Sequence, residues 1–379
     1  MNFFIQKKII LTIILKKLII IILISEFKME NNKKNLCIIY HFPCFDGSMG
    51  AINTFLYYKN FKSGVYNINF FPNKNTDSRF DYFLTEKKNY DKIIIIDLDL
   101  KNNDFEYLLK DENKNIKVLL FDHHKNWIEK YENYKNKLNS KNIKIFLDKE
   151  NKKSGCGLTF EYFKKKALKK FPENEVENIF SEKLKNLNIY IEDSDTGNEL
   201  LNDIQEFKSG LCHELHPLEK ISDFSYNKLY NINKFLNLDL KFLIRSGERL
   251  FKKFKSKSKN ELLINKNIYL VNLMNKEEFL VCITKNKQYR NISCQILGEI
   301  SKNLGYKPIG GFIYYLEGDL YKFSMRTSKK YSYDCSKIAE FYGGGGHENA
   351  SSFTMKFSDI KKLIIKKIDI YKYINQIKI

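Results

Sequence analysis

The sequence predicts an α/β protein: a doubly wound, mostly parallel sheet, then a smaller mixed α/β domain, with a substrate cleft expected between the two. Two observations predict it. From Leu36 onward, short apolar runs that are continuous rather than alternating are separated by stretches with helical spacing, the pattern of strands covered on both faces. Beyond residue 260 the runs come in pairs joined by turn residues, the pattern of hairpins.

The first five strand-like runs are 36–40, 65–71, 93–96, 118–121 and 143–147, with helical spacing at 48–58 and 158–170. Such alternation gives a parallel sheet, whose ligands bind at the carboxyl ends of the strands. From 198 to 260 the chain is polar and helical, with 235–254 the clearest amphipathic stretch. The second pattern then pairs 268–274 with 279–284, places a helix at 292–304, and pairs 309–316 with 320–327 about the turn Glu317-Gly318-Asp319. A short helix at 335–342 runs into four consecutive glycines, and Phe353, Met355 and Phe357 alternate as a final strand. The expected organisation is a leader at 1–28, a first domain at 35–200, a helical connector at 201–262, a second domain at 263–357 and an amphipathic C-terminal helix at 358–379.

Composition bounds the class. With 379 residues, 43% hydrophobic and 15% aromatic, the chain has apolar material for two cores, which excludes a disordered or fibrous protein. The net charge of +20 suits a polyanionic partner. Only five of the 65 basic residues are arginine, however, and lysine arrives with Asn and Ile in every region, so the charge alone does not establish a nucleic-acid partner. Seven scattered cysteines without CxxC spacing indicate neither a disulfide framework nor a thiolate zinc site, and a reducing compartment follows. Residues 1–28 hold two seven-residue apolar runs split by Lys16 and Lys17, a poor membrane span. They read as a targeting leader, a membrane anchor or an over-extended gene start ahead of Met29. The corresponding expectations are a cytoplasmic protein, or an organelle-targeted or membrane-anchored one if the leader is translated.

What stands at the strand ends carries the chemistry. His41 follows the first run, with Asp46 and Gly47 in the next turn; Asp97 closes the third, with Asp99 two residues on; Asp122, His123 and His124 close the fourth. Three of only six histidines therefore lie at strand ends. Taken singly, each has an ordinary structural reading: an Asp after a strand caps a helix, and a glycine run ends one. His213 and His216 have loose metal-like spacing but read as a polar surface loop beside Pro217. Taken together, imidazoles and carboxylates on the rim of a rigid sheet form a shell for divalent metal. A mixed His and Asp shell without cysteine suits Mn²⁺ better than structural zinc. Two such ions would activate water and stabilise the oxygens of a phosphoryl displacement. The glycines Gly343, Gly344, Gly345 and Gly346, followed by His347, read as a nest in which bare amides approach an anion.

These residues resemble the DHH phosphoesterases with their C-terminal DHH-associated domain. Asp122-His123-His124 looks like the signature triplet, the segment from His41 to Asp46-Gly47 the first motif, Asp97 the second, Ile191-Glu-Asp193-Ser-Asp195-Thr-Gly197 the fourth, and Gly343-Gly-Gly-Gly346-His347-Glu-Asn-Ala350 the glycine-rich motif of the associated domain. The resemblance spans about 36–357. It implies one manganese on His41, Asp46 and Asp97, with Asp97 bridging to a second held also by His123 and Asp195. Asp193 competes with Asp195, which the Asp-Thr-Gly order favours. It further implies that His124 contacts the scissile phosphate, that Asp122 orients the imidazoles, and that Arg326 pairs with a substrate phosphate beside the glycine motif. One departure stands out: many members carry Asp-x-Asp in the first motif, whereas Asp46 here is followed by Gly47 and Ser48. The second ion is then weaker, or Asp99 or Asp193 substitutes.

The expected activity is a manganese-dependent hydrolase of phosphodiester bonds, acting on short oligonucleotides as an exonuclease or oligoribonuclease, or on linear or cyclic dinucleotides. The alternatives are a phosphoanhydride hydrolase of the polyphosphatase or pyrophosphatase kind, and a nucleotide-binding protein whose catalysis has decayed, motivated by Ser48. The expected partner is the nucleic-acid or dinucleotide substrate. Membrane contact through 1–28 and a homodimer stay open, and no obligatory protein partner is evident.

Overall fold

The structure is a computed structural model that describes residues 33–73, 90–98, 100, 102–110, 113–124, 131, 133–134, 142–150, 152–215, 232–284, 289–327, 331 and 333–377. The expected leader, Asp99, His216 and Pro217 lie outside the described residues. The chain divides into two compact units, Met1–Asn188 with Glu219–Phe235, and Ile189–Leu218 with Leu236–Ile379.

The first unit is built on β1 (Lys34–His41), α1 (Phe45–Phe61), β2 (Tyr66–Asn73), β3 (Lys92–Ile96), α2 (Asn102–Leu109), β4 (Lys117–Asp122), β5 (Ile143–Leu147), α3 (Gly155–Leu168) and α4 (Glu173–Ile179). Its five strands are parallel throughout, in the order β2-β1-β3-β4-β5. The continuous apolar runs have the physical reason expected of them: both faces are covered. Cys37, Ile39, Ile93, Ile95, Val118 and Leu120 form one core with Phe105 and Leu108 of α2. The opposite face, carrying Ile94, Leu119 and Phe121, is equally buried, and the Phe121 ring packs edge-on to Tyr162 of α3 at 5.3 Å. In the order 2-1-3-4-5 the winding reverses between β1 and β3, where loops on the carboxyl side splay apart and leave a crevice. His41 and Asp97 stand at the ends of those two strands.

Helix α5 (Glu182–Thr196) leaves the first unit at Asn188, whose amide oxygen accepts from Asn53 Nδ2 of α1 at 2.7 Å. The second unit continues with α6 (Ile204–Leu215), α7 (Ile232–Asn237, shared across the division) and the 26-residue α8 (Leu240–Asn265). Helices α6 and α8 cross at two glycines: a Cβ on Gly210 would lie 2.0 Å from the Leu243 carbonyl oxygen, and one on Gly247 1.8 Å from that of Glu206.

The second sheet contains β6 (Ile268–Leu273), β7 (Glu277–Thr284), β8 (Ile309–Glu317), β9 (Leu320–Thr327), β10 (Gly345–His347), β11 (Ala350–Lys356) and β12 (Ile364–Lys367) in the order β10-β11-β9-β8-β7-β6-β12. All neighbours are antiparallel except β7 and β8, so the sheet is mixed as expected. Helix α9 (Arg290–Asn303) covers one face through Cys294, Leu297 and Ile300, and α10 (Ser336–Phe341) the other through Ile338 and Ala339. The tail differs from expectation. Where the spacing predicts one amphipathic helix over 358–379, the chain forms α11 (Phe357–Leu363), then β12, then α12 (Tyr371–Ile374). The run Ile364-Ile365 is β-branched, and pairing with β6 satisfies backbone groups along that edge, which outweighs helical periodicity.

Candidate metal centre

The site in the first unit is organised around Asp97. This residue follows β3 in the left-handed region, φ 56°, a conformation that short polar side chains tolerate best. Its amide donates to the Phe121 carbonyl at 2.9 Å, which ties the turn to β4. The carboxylate is 1% exposed and ringed by imidazoles: His41 Nδ1 lies 3.1 Å from Oδ2, His123 Nε2 3.6 Å from Oδ1 and His124 Nδ1 3.7 Å from Oδ1. Burial alone would raise the Asp97 carboxyl, but hydrogen bonds from His123 and His41 and the charge of His124 overcome it and hold the group well below the usual carboxylate range.

Asp46, in the first turn of α1, is 0% exposed. Its Oδ1 accepts from Cys156 N at 2.8 Å and from the Ser154 hydroxyl, and its Oδ2 accepts from Gly155 N at 2.8 Å. Asp46 thus does for the N-terminus of α3 what Ser154, which makes no cap bond of its own, does not. A carboxylate oxygen accepts at two lone-pair positions, which is the chemistry that sharing with a cation requires. Asp46, Asp97 and His123 bring one ligand atom each within 4.8 Å of one another.

Asp122 ends β4 and acts on both histidines that follow. Its Oδ1 accepts from His123 N at 2.6 Å, His124 N at 2.9 Å and the His124 ring Nδ1 at 2.7 Å. Burial would lower the His124 pKa, but the Asp122 carboxylate raises it to about 9. With Nδ1 committed to Asp122, Nε2 is the ring's other nitrogen for a substrate oxygen. Asp122 Oδ2 is buried and has no hydrogen-bond partner among the described residues.

Beside this expected His and Asp set, Cys44 Sγ lies with His41 and Asp97 in a group whose ligand atoms fall within 4.8 Å of one another. Cys44 belongs to the first motif, but the search for CxxC spacing passes over a cysteine that meets its co-ligands only through the fold. The segment Ser154-Gly155-Cys156 was missed for the same reason, although a serine ahead of a helical run signals a cap. Ser48, which stands where a second carboxylate was expected, is 2% exposed and donates its hydroxyl to the Cys44 carbonyl at 2.6 Å.

The remaining expected residues lie in the second unit. Asp193 and Asp195 occupy the last two turns of α5. Both Asp193 oxygens are engaged, accepting from Leu200 N at 2.9 Å and Leu201 N at 3.0 Å, so Asp193 holds the turn after the helix. His213 is exposed on the last turn of α6. In the second sheet, Arg326 pairs in register with Ala350, which pairs with His347. Directly paired residues share a face, so Arg326 and His347 stand on one face with only the small Ala350 between them. The Arg326 guanidinium is held by the Met325 carbonyl at 2.7 Å and Asn291 Oδ1 at 3.1 Å; burial lowers its pKa, and Arg290 of α9 adds to this. Arg290 and Asn291 carry no sequence signal beyond the rarity of arginine.

The glycines depart from the nest reading. Gly343 N donates to the Glu340 carbonyl at 3.0 Å and Gly344 N to that of Ala339 at 2.7 Å, closing α10, while Gly345 and Gly346 join β10, the edge strand. Their lack of Cβ serves close packing, since a Cβ on Gly344 would lie 2.2 Å from the Ser352 oxygen.

No family model matches the chain. A protein of Acanthamoeba polyphaga mimivirus, described as uncharacterized protein R106, is 24% identical over 343 residues, 88% of this chain and 70% of that one. Among solved structures, an exopolyphosphatase-related protein from Bacteroides fragilis is similar with TM-score 0.46 and 15% identity, over 89% of this chain and 93% of its own. A pGpG-specific phosphodiesterase, PggH, from Vibrio cholerae is similar with TM-score 0.39 and 14% identity, over 87% and 95%. Exonuclease RecJ bound to manganese is similar with TM-score 0.42 and 12% identity, over 88% and 90%.

Proposed function

We propose that this chain is a divalent-metal-dependent hydrolase of phosphodiester bonds, acting on short oligonucleotides or on linear or cyclic dinucleotides. The observation that carries the reading is the convergence of His41, Asp46, Asp97 and His123 at the carboxyl edge of the parallel sheet, where its winding reverses. The donor set fits a cation: Asp97 is buried in its charged form and faces nitrogen donors, and nitrogen with carboxylate oxygen suits Mn²⁺. In this reading His41, Asp46 and Asp97 hold one ion, and Asp97, His123 and Asp195 the second. Asp195 is preferred to Asp193 because the Asp193 carboxylate is already occupied by two backbone amides. The metal, when bound, supplies positive charge at the phosphate and lowers the pKa of a nearby water.

The protein's own groups do the rest. His124, oriented through Nδ1 by Asp122, directs its other nitrogen to a phosphoryl oxygen. Asp122 fixes the backbone of both histidines, so a small displacement there misplaces two functional rings at once. In the second unit, Arg326 and His347 share a sheet face that offers donors to a further phosphate, with Arg290 adding charge.

A panel of di- to pentanucleotides, cyclic dinucleotides, pyrophosphate and polyphosphate, assayed with Mn²⁺, tests the reading. Release of mononucleotides that Asp97→Asn abolishes without loss of fold supports it. Turnover confined to pyrophosphate or polyphosphate replaces it with the phosphoanhydride alternative, and no turnover at all ends it. One observation favours the decayed alternative: the Asp46 oxygens already accept three protein donors, and Ser48 supplies no carboxylate. Calorimetric titration with Mn²⁺ distinguishes the two, since a decayed site takes up one ion or none and the active one takes up two, with or without substrate present.

A further inference from the structure

The amino edge of the first sheet, at the opposite ends of the strands, gathers positive charge on one face. Lys92 and Lys117 begin β3 and β4 and pair directly in register; Lys144 pairs with Leu119, two residues beyond Lys117. Side chains two apart on a strand, and partners across a parallel pair, share a face, so all three lysines lie on the face carrying Ile94, Leu119 and Phe121, against α1 and α3. Both helices return to this edge, where they bring Lys62 after α1, Lys166 in the last turn of α3 and Lys170 just beyond. The helix lysines have a structural reason, since cations complement a helix C-terminus. The three strand lysines have no such helix-end role.

Beside them lie aromatic rings. Tyr57 and Tyr58 are 1% and 2% exposed, and their hydroxyls have no hydrogen-bond partner among the described residues. Lys92 Nζ lies 5.5 Å from the Tyr58 ring centre, and Lys166 Nζ 5.5 Å from that of Tyr57. Burial, with Lys166, Lys117, Lys144 and Lys62 nearby, lowers the Lys92 pKa to about 7, and burial with Lys62, Lys144 and Lys170 lowers that of Lys166. Lys166 Nζ also donates to the Tyr162 hydroxyl at 3.4 Å. Half-buried and exposed cations clustered beside two buried hydroxyls that lack partners suit a multiply charged oxyanion.

We propose that this edge is a second phosphate site, in which Lys92 and Lys166, together with the neighbouring Tyr57 and Tyr58, bind closely spaced phosphate oxygens of the pyrophosphate class. It lies five residues down β3 from Asp97, about 16 Å away, and is independent of the metal centre.

The test is calorimetry and thermal unfolding of the full chain in EDTA, titrated with inorganic pyrophosphate at constant ionic strength. The expected result is one site per chain and a raised Tm, with affinity at least tenfold weaker in Lys92→Met and clearly weaker in Tyr58→Phe. Asp97→Asn should bind pyrophosphate like the natural protein. Lys117→Gln and Lys144→Gln, both on exposed side chains, give a second readout should Lys92→Met fail to fold, and each should weaken binding severalfold. A diester dinucleotide, with one charge per phosphate, should bind weakly; equal affinity would make the ligand a nucleic-acid backbone and overturn the pyrophosphate assignment. Binding unchanged in the lysine variants, or lost only in Asp97→Asn, would overturn the site.

Discussion

Gly155 donates its backbone N–H to Asp46 Oδ2 at 2.8 Å, and a Cβ on Gly155 would stand 2.8 Å from that same oxygen and 3.1 Å from Asp97 Cβ. The first residue of α3 therefore binds one carboxylate of the metal centre, that of Asp46, and leaves no room for a side chain beside Asp97, 109 and 58 residues earlier in the chain. Gly155→Ala should push both aside while leaving the apolar core intact. The expected outcome is a Mn²⁺ affinity about 10-fold lower, the scale of a lost supporting contact, read by calorimetry, with far-UV circular dichroism unchanged.

Asp122 provides a second test through His124. The His124 pKa is raised to about 9 chiefly by Asp122, so in metal-free protein the ring stays charged at neutral pH. A raised imidazole contributes stability fully present below its unfolded pKa, about 6.5, and lost as pH rises through about 9. Asp122→Asn keeps an oxygen acceptor but removes the charge. His124, followed by NMR titration in EDTA, should then titrate well below 9, and this loss of stability on raising pH should shrink. If the Asp122→Asn protein folds and its His124 still titrates near 9, the assigned cause is wrong.

The two levels of structure were not equally legible in the sequence. Strands such as 93–96 and 118–121 announce themselves because burial on both faces leaves no polar residue in the run, and His41, Asp97 and Asp122 stand out because the strands end on them. The contacts that make a site from these residues are not encoded locally. Cys44 meets His41 and Asp97 only because β1 lies beside β3, and the Ser154-Gly155-Cys156 cradle is invisible until α3 docks on α1. The glycine run misled for a related reason: two of its amides are used to close α10, which depends on where that helix ends. The tail at 364–367 took the strand form because an open edge of β6 was available to it.

Lys92 gives a stability signature that runs opposite to that of His124. Burial first, then the charges of Lys166 on α3, Lys117 on β4, Lys144 on β5 and Lys62 after α1, depress its folded pKa to about 7 from 10.5. Between those values the unfolded chain binds more protons, so the contribution of Lys92 to stability rises with pH across that window and is flat below it. Lys92→Met should flatten this rise in urea unfolding between pH 7 and 10 and should stabilise the protein most at pH 7 or below, where the buried charge costs most. A variant whose pH profile parallels that of the natural protein would contradict the assignment.

The crossing of α6 and α8 is set by Gly210 and Gly247. An added methyl at either position would lie 2.0 Å or 1.8 Å from a backbone oxygen of the facing helix, and backbone cannot rotate away as a side chain can. Gly210→Ala and Gly247→Ala should each force the helices apart and cost about 2 kcal/mol or more, as overpacking does. Because both sites belong to one crossing, the second substitution should cost less than the first once the helices have separated, a non-additivity that neighbouring sites show and distant ones do not. Thermal unfolding of the two single variants and the double variant measures it. Strict additivity would mean that the two contacts are relieved independently and that the glycines do not act as one joint.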